Sequence, residues 1–443
     1  FGSRPAQCSA RTWFSLPHAG CFTHPPPMVI LGATECRIAG GLYHSLVVDE
    51  PSRENDGVYS NNVYGFGSNR NRMLDRDERN VFYSPKAIGF FDDKLILAVG
   101  CGDSFSVFLE KHRDQDGGSL WVVGLGISGR LGLRRPRSRG EYEDLLLASG
   151  YRADEVSSLL GDCGKLLDTS TQSWHVPVPV QLPKLENVVA LSCGADHSLA
   201  LTDGGAVYAW GLGSFGNLGT GSTDDAFAPA LVRIPDDRPC SMVAAGTKHS
   251  MALTREGGVM YSWGHGGNGR LGQGDRREAS LVPNRVHAEE RMAARCIAAG
   301  EAHSAAIDAL GNVFCWGAGT RGRTGHGEEI DYPVPKQVRS LGGTPCSEVA
   351  LGALHSIALA QSGALHTWGT GCATGHDGVA GAEPVQPIPQ ELTHSVLRRA
   401  RVQHIAAGSF HSLALLEGGF LVAWGNGSQG RLGLGPLKVN DRD

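Results

Sequence analysis

The segment SMVAAGTKHSMALTREGGVMYSWGHGGNGRLGQG, residues 241–274, decides the fold of this chain. Within it, GHGGNG at 264–269 matches the G-x-G-x-x-G pattern of a dinucleotide-binding loop. Such a loop joins a strand to a helix, and no helical periodicity follows these glycines. The pattern also recurs elsewhere in the chain, at 124–129, 211–216, 317–322 and 425–430. Five dinucleotide sites in one chain are implausible, so the sequence predicts no bound cofactor.

The whole segment, and not only its glycines, is repeated along the chain. We number the seven copies repeats 1 to 7, and they occupy residues 36–75, 96–135, 189–221, 241–274, 295–327, 348–378 and 403–435. Each copy carries a G-x-x-H turn except repeat 2, where phenylalanine replaces histidine. The resulting column reads His44, Phe105, His197, His249, His303, His355 and His411.

Each repeat has the periodicity of short strands. HSMALT (249–254) and the run around Tyr261 are rich in β-forming residues and are bounded by turn signals such as REGG. SMVAAG (241–246) is a third run, and APALVRIP (228–235) exemplifies a fourth. Four short strands at a period near 50 residues are typical of a propeller blade. The sequence therefore predicts an all-β fold, a seven-bladed β-propeller of four-stranded blades, whose closure hides the sheet edges.

The predicted domain boundaries follow from the repeats. We expect an N-terminal extension over 1–27, a propeller over 28–435 and a tail over 436–443. The sequence leaves two alternatives for the strand that closes the ring, PPMVIL (26–31) and the C-terminal tail. The first 34 residues contain no Asp or Glu, which fits a processed transit-peptide remnant and equally an ordinary tail.

Composition narrows the class of protein. The chain has 443 residues, 62 of them glycine, and a net charge of −5, which gives no support for a protein that coats nucleic acid. No run of 18 apolar residues predicts a membrane-spanning helix. Eleven scattered cysteines without a C-x-x-C pair indicate reduced thiols in an intracellular compartment and no zinc site.

A long insertion over about 133–186, after blade 2, interrupts the repeat. From Gly124 to His197 is 73 residues, whereas the same interval is 38 to 42 residues in later repeats. Long insertions in repeat arrays commonly form the binding feature of one face, and DEVSSLLGDCGKLLD (154–168) has helical spacing. The candidate contacts of this insertion are Arg134, Arg135, Arg137, Arg139 and Tyr142. The basic loop 134–139 would contact protein or RNA, serve as a nuclear import signal, or be a solvated loop.

The consensus of the repeats resembles the regulator-of-chromosome-condensation propeller family over residues 28–435. The resemblance implies a single seven-bladed propeller, but members of this family include exchange factors for GTPases, an ultraviolet-B photoreceptor, a mitochondrial branch and plain binding platforms. Fold alone does not select among these functions. The photoreceptor branch carries tryptophan and arginine in its G-W-R-H-T turns, and no G-x-x-H turn of this chain contains either, so we exclude photoreception.

The exchange-factor branch uses acids and histidines in these same turns, which share one face of the ring. By resemblance, the candidate partner face of this chain comprises Asp103, Asp196, Glu301, His44, His197 and His411. The alternative for each histidine is a structural role, holding its turn by a hydrogen bond. Phe105 beside Asp103 breaks the column and counts against exchange activity on a small or dynamin-like GTPase. A chromatin-associated nuclear protein is a further alternative.

The resemblance is strongest to the mitochondrial branch of the family. Shared features are the phenylalanine of CGDSFSVFL, the basic insertion and the stretch SRGEYEDLL at 138–146. No catalytic motif is present: G-x-S-x-G and H-E-x-x-H are both absent, and the histidines follow the repeat and not a metal-ligand spacing. We therefore expect a non-enzymatic scaffold that uses no cofactor or metal. It would bind protein partners in a mitochondrial assembly such as ribosome biogenesis, and RNA is an alternative ligand. Cytoplasmic or nuclear location is the alternative.

Overall fold

The structure is a computed structural model of the chain. It describes residues 13–15, 37–53, 59–74, 79–112, 117–160, 174–183, 185–288, 292–376, 385–395, 397 and 400–435. The predicted leading strand at 26–31 and the tail at 436–443 lie outside these residues. None of the described helices is long and apolar enough to cross a membrane.

Antiparallel sheets of four strands dominate the fold, so the prediction of an all-β protein built from four-stranded units is confirmed. The first strands are Ile38–Gly40, Ile96–Cys101, Val188–Cys193, Cys240–Ala245, Ala294–Ala299, Cys346–Leu351 and Val402–Ala407. The second strands are His44–Val48, Phe105–Lys111, His197–Thr202, His249–Thr254, His303–Asp308, His355–Ala360 and His411–Leu416. The third strands are Val63–Ser68, Gly118–Leu125, Val207–Gly211, Met260–His265, Val313–Gly317, Leu365–Thr370 and Phe420–Gly425. The fourth strands of repeats 1 to 6 are Val81–Ala87, His175–Gln181, Ala226–Val232, Ala279–Arg285, Tyr332–Gln337 and Val385–Glu391.

An N-terminal strand completes the sheet of repeat 7. Trp13–Ser15 pairs antiparallel with residues 420–422, in the fourth position of that sheet. This strand falls within the segment predicted as an N-terminal extension over 1–27.

Two sheets are joined and the others are separate. A pairing of Gly118 with Val188 links the four strands of repeat 2 to those of repeat 3, which gives one eight-stranded sheet. Ser52–Arg53 and Tyr59–Ser60 form a two-stranded ribbon beside repeat 1. Helix α1 spans Arg139–Ala148 and helix α2 spans Ala153–Leu160. Short 3-10 turns occupy Gly89–Phe91, Ile127–Gly129, Pro235–Asp237, Gly267–Gly269, Thr320–Gly322, Arg339–Leu341, Cys372–Thr374 and Ser428–Gly430.

The hydrophobic core lies between consecutive repeats. Seven clusters of buried side chains each join two neighbours, and one of them packs Val47 and Phe66 of repeat 1 against Leu413 and Leu421 of repeat 7. Every residue of the second strand in repeats 4 to 7 is buried, because neighbouring sheets cover both of its faces. The repeats are therefore packed in a cyclic order, each held by the burial of apolar surface against the next.

The glycines of the opening segment serve this packing. Gly264 has φ +100°, and a Cβ there would lie 2.7 Å from the carbonyl oxygen of Lys248. Gly269 has φ +74°, and its Cβ would lie 2.6 Å from Cα of Pro333 in the next repeat. Only glycine allows both the positive φ and the close approach, which explains the recurrence without a nucleotide.

The insertion lies inside repeat 2 and not after it, which corrects the prediction. Its residues leave the third strand at Leu125 and return to the fourth strand at His175, so 175–181 belong to the sheet and not to the insertion. This fourth strand contains Pro177 and Pro179, which an edge strand tolerates because its outer N–H groups need no partner. The predicted helix at 154–168 is observed over Ala153–Leu160, and residues 161–168 lie outside the described chain. Helix α1 was not predicted.

Candidate functional site

The six G-x-x-H turns and the equivalent turn of repeat 2 converge on one cavity. In each sheet, the turn between the first two strands and the turn between the last two lie at the same end, because the strands are antiparallel. The lining includes Gly41, Asp103, Gly194, Gly246, Glu301, Gly352 and Gly408, at least one residue from each turn. The cavity holds about 90 Å3, room for a few waters and too little for a cofactor. We call this end of the molecule the turn face.

The histidine column is buried and links one repeat to the next. Each histidine accepts or donates a hydrogen bond through Nε2 to a serine hydroxyl at 2.7–3.0 Å in the following repeat. The pairs are His44–Ser106, His197–Ser250, His249–Ser304, His303–Ser356, His355–Ser412 and His411–Ser45. The last pair joins repeat 7 to repeat 1.

Burial removes the histidines from the candidate partner face. His44, His197 and His411 are each 0% exposed, so they cannot touch a partner, and their assignment to that face is wrong. Burial of the imidazole also lowers the pKa of His44 and His411 to about 3 and that of His197 to about 4. These side chains are neutral structural links, as the alternative interpretation proposed.

The link is missing between repeats 2 and 3. Phe105 fills the histidine position, and the hydroxyl of Ser198 lies 3.6 Å from the sulfur of Cys193. The indole N–H of Trp210 is buried and unpartnered, although the matching tryptophans donate to a backbone carbonyl of the preceding repeat at 2.8–3.0 Å. This seam, the boundary between repeats 2 and 3, is also the one that the insertion covers.

The predicted acids do lie together on the turn face. Asp196 forms an ion pair with Arg130, Nη2 to Oδ1 3.0 Å, and the backbone N–H of Asp103 donates to the carbonyl of Ala195 at 2.9 Å. Glu301 is exposed at the rim of the same cavity. Burial, with the charges of Asp196 and Glu301, raises the pKa of Asp103 to about 7, against the opposing charge of Arg130.

A column of arginines on this face was missed from the sequence. Arg270, Arg323 and Arg431 each donate Nε to a carbonyl within their own turn and Nη1 to a carbonyl of the next repeat's turn. Arg130 holds the same position but reaches the carboxylate of Asp196 instead. The recurring G-R-[LT]-G of these turns is the sequence signal for this column.

The insertion is fixed firmly against the seam. The hydroxyl of Tyr142 donates to the carbonyl of His175 at 2.9 Å, and that of Tyr151 donates to Pro179 at 2.8 Å. Leu146 and Val156 enter the core together with Trp174. Tyr142 is 0% exposed, so its assignment as a contact residue is wrong: it docks helix α1.

The arginines of the insertion remain accessible. Arg134, Arg137 and Arg139 are exposed and Arg135 is partly exposed. Ser138 begins helix α1 by accepting a hydrogen bond from the N–H of Glu141 at 3.2 Å. The carboxylate of Glu141 accepts the N–H of Arg137 at 2.7 Å, which fixes the backbone of the basic loop.

A family model of the RCC1-like domain matches residues 158–442. The chain therefore belongs to the family of RCC1 repeat proteins, which confirms the resemblance inferred from the repeats. The match begins inside the insertion and covers the fourth strand of repeat 2 and repeats 3 to 7, so repeat 1 and the first three strands of repeat 2 precede it.

Several relatives share this repeat. The ultraviolet-B receptor UVR8 of Arabidopsis thaliana is 38% identical over 262 residues, which is 58% of this chain and 58% of the receptor. The mitochondrial RCC1 domain-containing protein RUG3 of the same plant is 32% identical over 335 residues, 72% of this chain and 68% of RUG3. The mouse E3 ubiquitin-protein ligase HERC2 is 33% identical over 297 residues, but the chain spans only 6% of that ligase.

Solved structures share the fold. Human WBSCR16 superposes with a TM-score of 0.66 at 21% identity, over 88% of this chain and 87% of that one. Yeast RCC1 (Prp20), in its complex with Kap60, gives 0.63 at 22% identity, over 88% and 79%. In repeats 3 to 6 the third strand carries a core tryptophan: Trp210, Trp263, Trp316 and Trp368 are 0% exposed.

Proposed function

We propose that this chain is a non-enzymatic, seven-bladed propeller that binds protein partners in a mitochondrial assembly, with the insertion of repeat 2 as its partner-specific contact. The blade count is supported by the seven core clusters and by the hydrogen bond from repeat 7 to repeat 1, His411 to Ser45. Trp13–Ser15 would then close the ring as the outer strand of the last blade.

The observation that carries the binding role is the construction of the insertion. It is an ordered pair of helices, docked through Tyr142 and Tyr151, that leaves a row of arginines exposed beside the one seam without a histidine link. A rigid support that presents exposed charged side chains fits a binding surface better than a solvated loop. RUG3 supports the mitochondrial location, since that relative is a mitochondrial protein.

We expect substitution of the exposed insertion surface to abolish co-purification of the chain with its complex from mitochondria. The test variant combines Arg134→Gln, Arg137→Gln, Arg139→Gln and Leu147→Ser; Leu147 is 41% exposed. None of these side chains is buried, so folding should be unaffected. Affinity purification with mass spectrometry is the measurement, and deletion of the insertion is unsuitable because Leu146, Val156 and Trp174 belong to the core.

The matched control combines Arg276→Gln, Arg285→Gln, Arg339→Gln and Leu310→Ser. These residues are also exposed and lie on repeats 4 and 5, and the substitutions remove the same charge and one exposed leucine. The control should keep the full set of partners. Equal recovery of partners by both variants would reject the insertion as the contact.

A second candidate, guanine-nucleotide exchange, is favoured by the acids of the turn face. Asp103, Asp196 and Glu301 form an anionic rim that could compete for the phosphate-loop or Mg2+ contacts of a small or dynamin-like GTPase. We expect exchange to require ionised Asp103, so the rate of labelled-GDP release should fall as the pH drops below about 7.

The variant Asp196→Asn tests this candidate. The negative charge of Asp196 raises the pKa of Asp103. Removing that charge should therefore shift the midpoint of the pH–rate profile to lower pH. The maximal rate should fall by about tenfold if the carboxylate itself touches the GTPase. The measurement is the stopped-flow rate of labelled-GDP release from a panel of mitochondrial and nuclear GTPases. If the chain accelerates release from none of them, exchange activity is rejected and only the scaffold function remains.

A further inference from the structure

A groove runs between the insertion and repeat 3 at the outer rim of the turn face. One wall carries the side chains of Arg134, Arg135 and Arg137, and the other is formed by Asp225, Phe227 and Ala228 at the start of the fourth strand of repeat 3. Glu141 of helix α1 borders one end. The groove holds about 790 Å3, within the range of sites that enclose a ligand of several residues.

Both walls are fixed in place. A Cβ at Gly129 would lie 2.3 Å from the carbonyl oxygen of Ala226, so the turn that leads into the insertion lies directly against the opposite wall. The capping of helix α1 by Ser138 and Glu141 holds the backbone around Arg137. The groove is therefore preformed, which lowers the entropic cost of binding an extended ligand.

The acidic side chains of the groove already have hydrogen-bond partners, whereas two of its arginines have no ion-pair partner in the part of the chain that the structure describes. The carboxylate of Asp225 accepts the N–H of Gly213 at 3.0 Å, and that of Glu141 accepts the N–H of Arg137 at 2.7 Å. Within the described residues, no ion pair joins the guanidinium of Arg134 or Arg137 to a carboxylate. The acids of the groove are thus already engaged by backbone groups, while the two arginines face solvent and can pair with an incoming anion.

The wall of repeat 3 offers an apolar contact. Phe227, on the wall opposite the arginines, is 43% exposed, unusually open for a phenylalanine. A single aromatic ring can seat one apolar side chain, but it does not provide the succession of stacking platforms that a single-stranded nucleic acid uses. The net charge of −5 and the carboxylates of Asp225 and Glu141 also disfavour a polyphosphate track.

We propose that this groove binds an extended acidic segment of a protein partner, with carboxylates on Arg134 and Arg137 and an apolar side chain on Phe227. The inference rests on the proposed binding function of the insertion and names its ligand class. Arg134 and Arg137 are three residues apart, at most about 10 Å along the chain. Alternate side chains of an extended peptide lie about 7 Å apart on one face, so the segment should carry acids two or three residues apart next to an aliphatic or aromatic residue.

The test is a selection of 12-residue random peptides on the full-length chain, followed by fluorescence anisotropy of the most enriched peptide. We expect enrichment of peptides with paired Asp or Glu and one apolar residue. The variant Arg134→Gln/Arg137→Gln should weaken the peptide by about tenfold or more, and Phe227→Ser should weaken it by about threefold or more. The control Arg276→Gln/Arg285→Gln, which has the same net charge, should bind normally.

Three outcomes would overturn the inference. They are the absence of any enriched acidic peptide, binding that survives Arg134→Gln/Arg137→Gln, and tighter binding of a 12-nucleotide oligouridine through the same arginines. The thermal unfolding of each variant verifies that it is folded. If co-purification is lost in the insertion-surface variant while the acidic peptides fail, the binding function stands and only the ligand class is wrong.

Discussion

Replacement of His411 by alanine should lower the free energy of unfolding by about 3 kcal/mol. The imidazole is 0% exposed and its Nε2 lies 2.7 Å from the hydroxyl of Ser45, across the contact between repeats 7 and 1. The substitution removes one buried hydrogen bond, worth about 1 kcal/mol, and leaves a cavity that costs about 2 kcal/mol more. Urea denaturation followed by tryptophan fluorescence measures the change, with an unchanged dependence on denaturant expected.

The substitution His411→Phe separates the two contributions. Phe105 occupies the same position in repeat 2 and is fully buried there, so the fold accommodates a phenyl ring at this place in the repeat. We expect His411→Phe to cost about 1 kcal/mol, the hydrogen bond alone. Equal losses for the alanine and phenylalanine variants would show that packing contributes nothing and would contradict the prediction.

Comparison with His303→Ala tests the closure of the ring. His303 makes the same bond to Ser356 between repeats 5 and 6, which are adjacent along the chain. If repeats 7 and 1 pack as tightly as repeats 5 and 6, the two alanine variants should lose a similar amount of unfolding free energy. A negligible effect of His411→Ala beside a large effect of His303→Ala would mean that the ring is open in solution.

The strands of the repeats were predictable because their signals are local. SMVAAG at 241–246 and HSMALT at 249–254 appear as Cys240–Ala245 and His249–Thr254, within one residue of prediction. Alternating β-branched and apolar residues between glycine turns define such strands without any tertiary information. Helix α1 escaped prediction since RGEYEDLLLA has weak amphipathic periodicity, and only the docking of Tyr142 and Leu146 reveals its buried side.

The candidate site was only partly predictable because its partners are distant in sequence. The serine that binds each histidine lies more than 50 residues away, so a G-x-x-H turn alone does not reveal whether its histidine faces solvent or the next repeat. The acids were easier, since Asp103 and Asp196 lie in these turns and are only partly buried. The groove of Arg134 and Phe227 joins segments about 90 residues apart, and no local pattern indicates such a contact.

The buried histidines should make the protein strongly unstable in acid. Burial holds the pKa of His44 and His411 near 3 and that of His197 and His355 near 4, and it lowers the pKa of His249 and His303 well below the ordinary 6.5. In the unfolded chain these imidazoles titrate near 6.5. Between about pH 6.5 and pH 4 the unfolded state therefore binds more protons than the native state, and stability falls as the pH falls.

Six such groups give a steep dependence. The free energy of unfolding should fall by up to about 8 kcal/mol per pH unit near pH 5, enough to unfold a domain of ordinary stability. Asp103 acts in the opposite direction: with its pKa raised to about 7, its contribution is present below pH 4 and is lost as the pH rises through 7. Asp103 contributes one proton and the histidines six, so the histidines determine the pH dependence of the unfolding free energy below pH 6.5.

Urea denaturation at half-unit steps from pH 4.5 to pH 8 measures this dependence, and each histidine can be counted separately. His303→Phe removes one titrating group while it keeps the volume of the ring, so it should reduce the proton uptake on unfolding near pH 5 by about one. The exposed-residue control Arg276→Gln should leave the uptake unchanged. Equal unfolding free energies at pH 5 and pH 7 would show that the imidazoles are hydrated or charged in the native protein, and the column could then no longer be a set of neutral links between repeats.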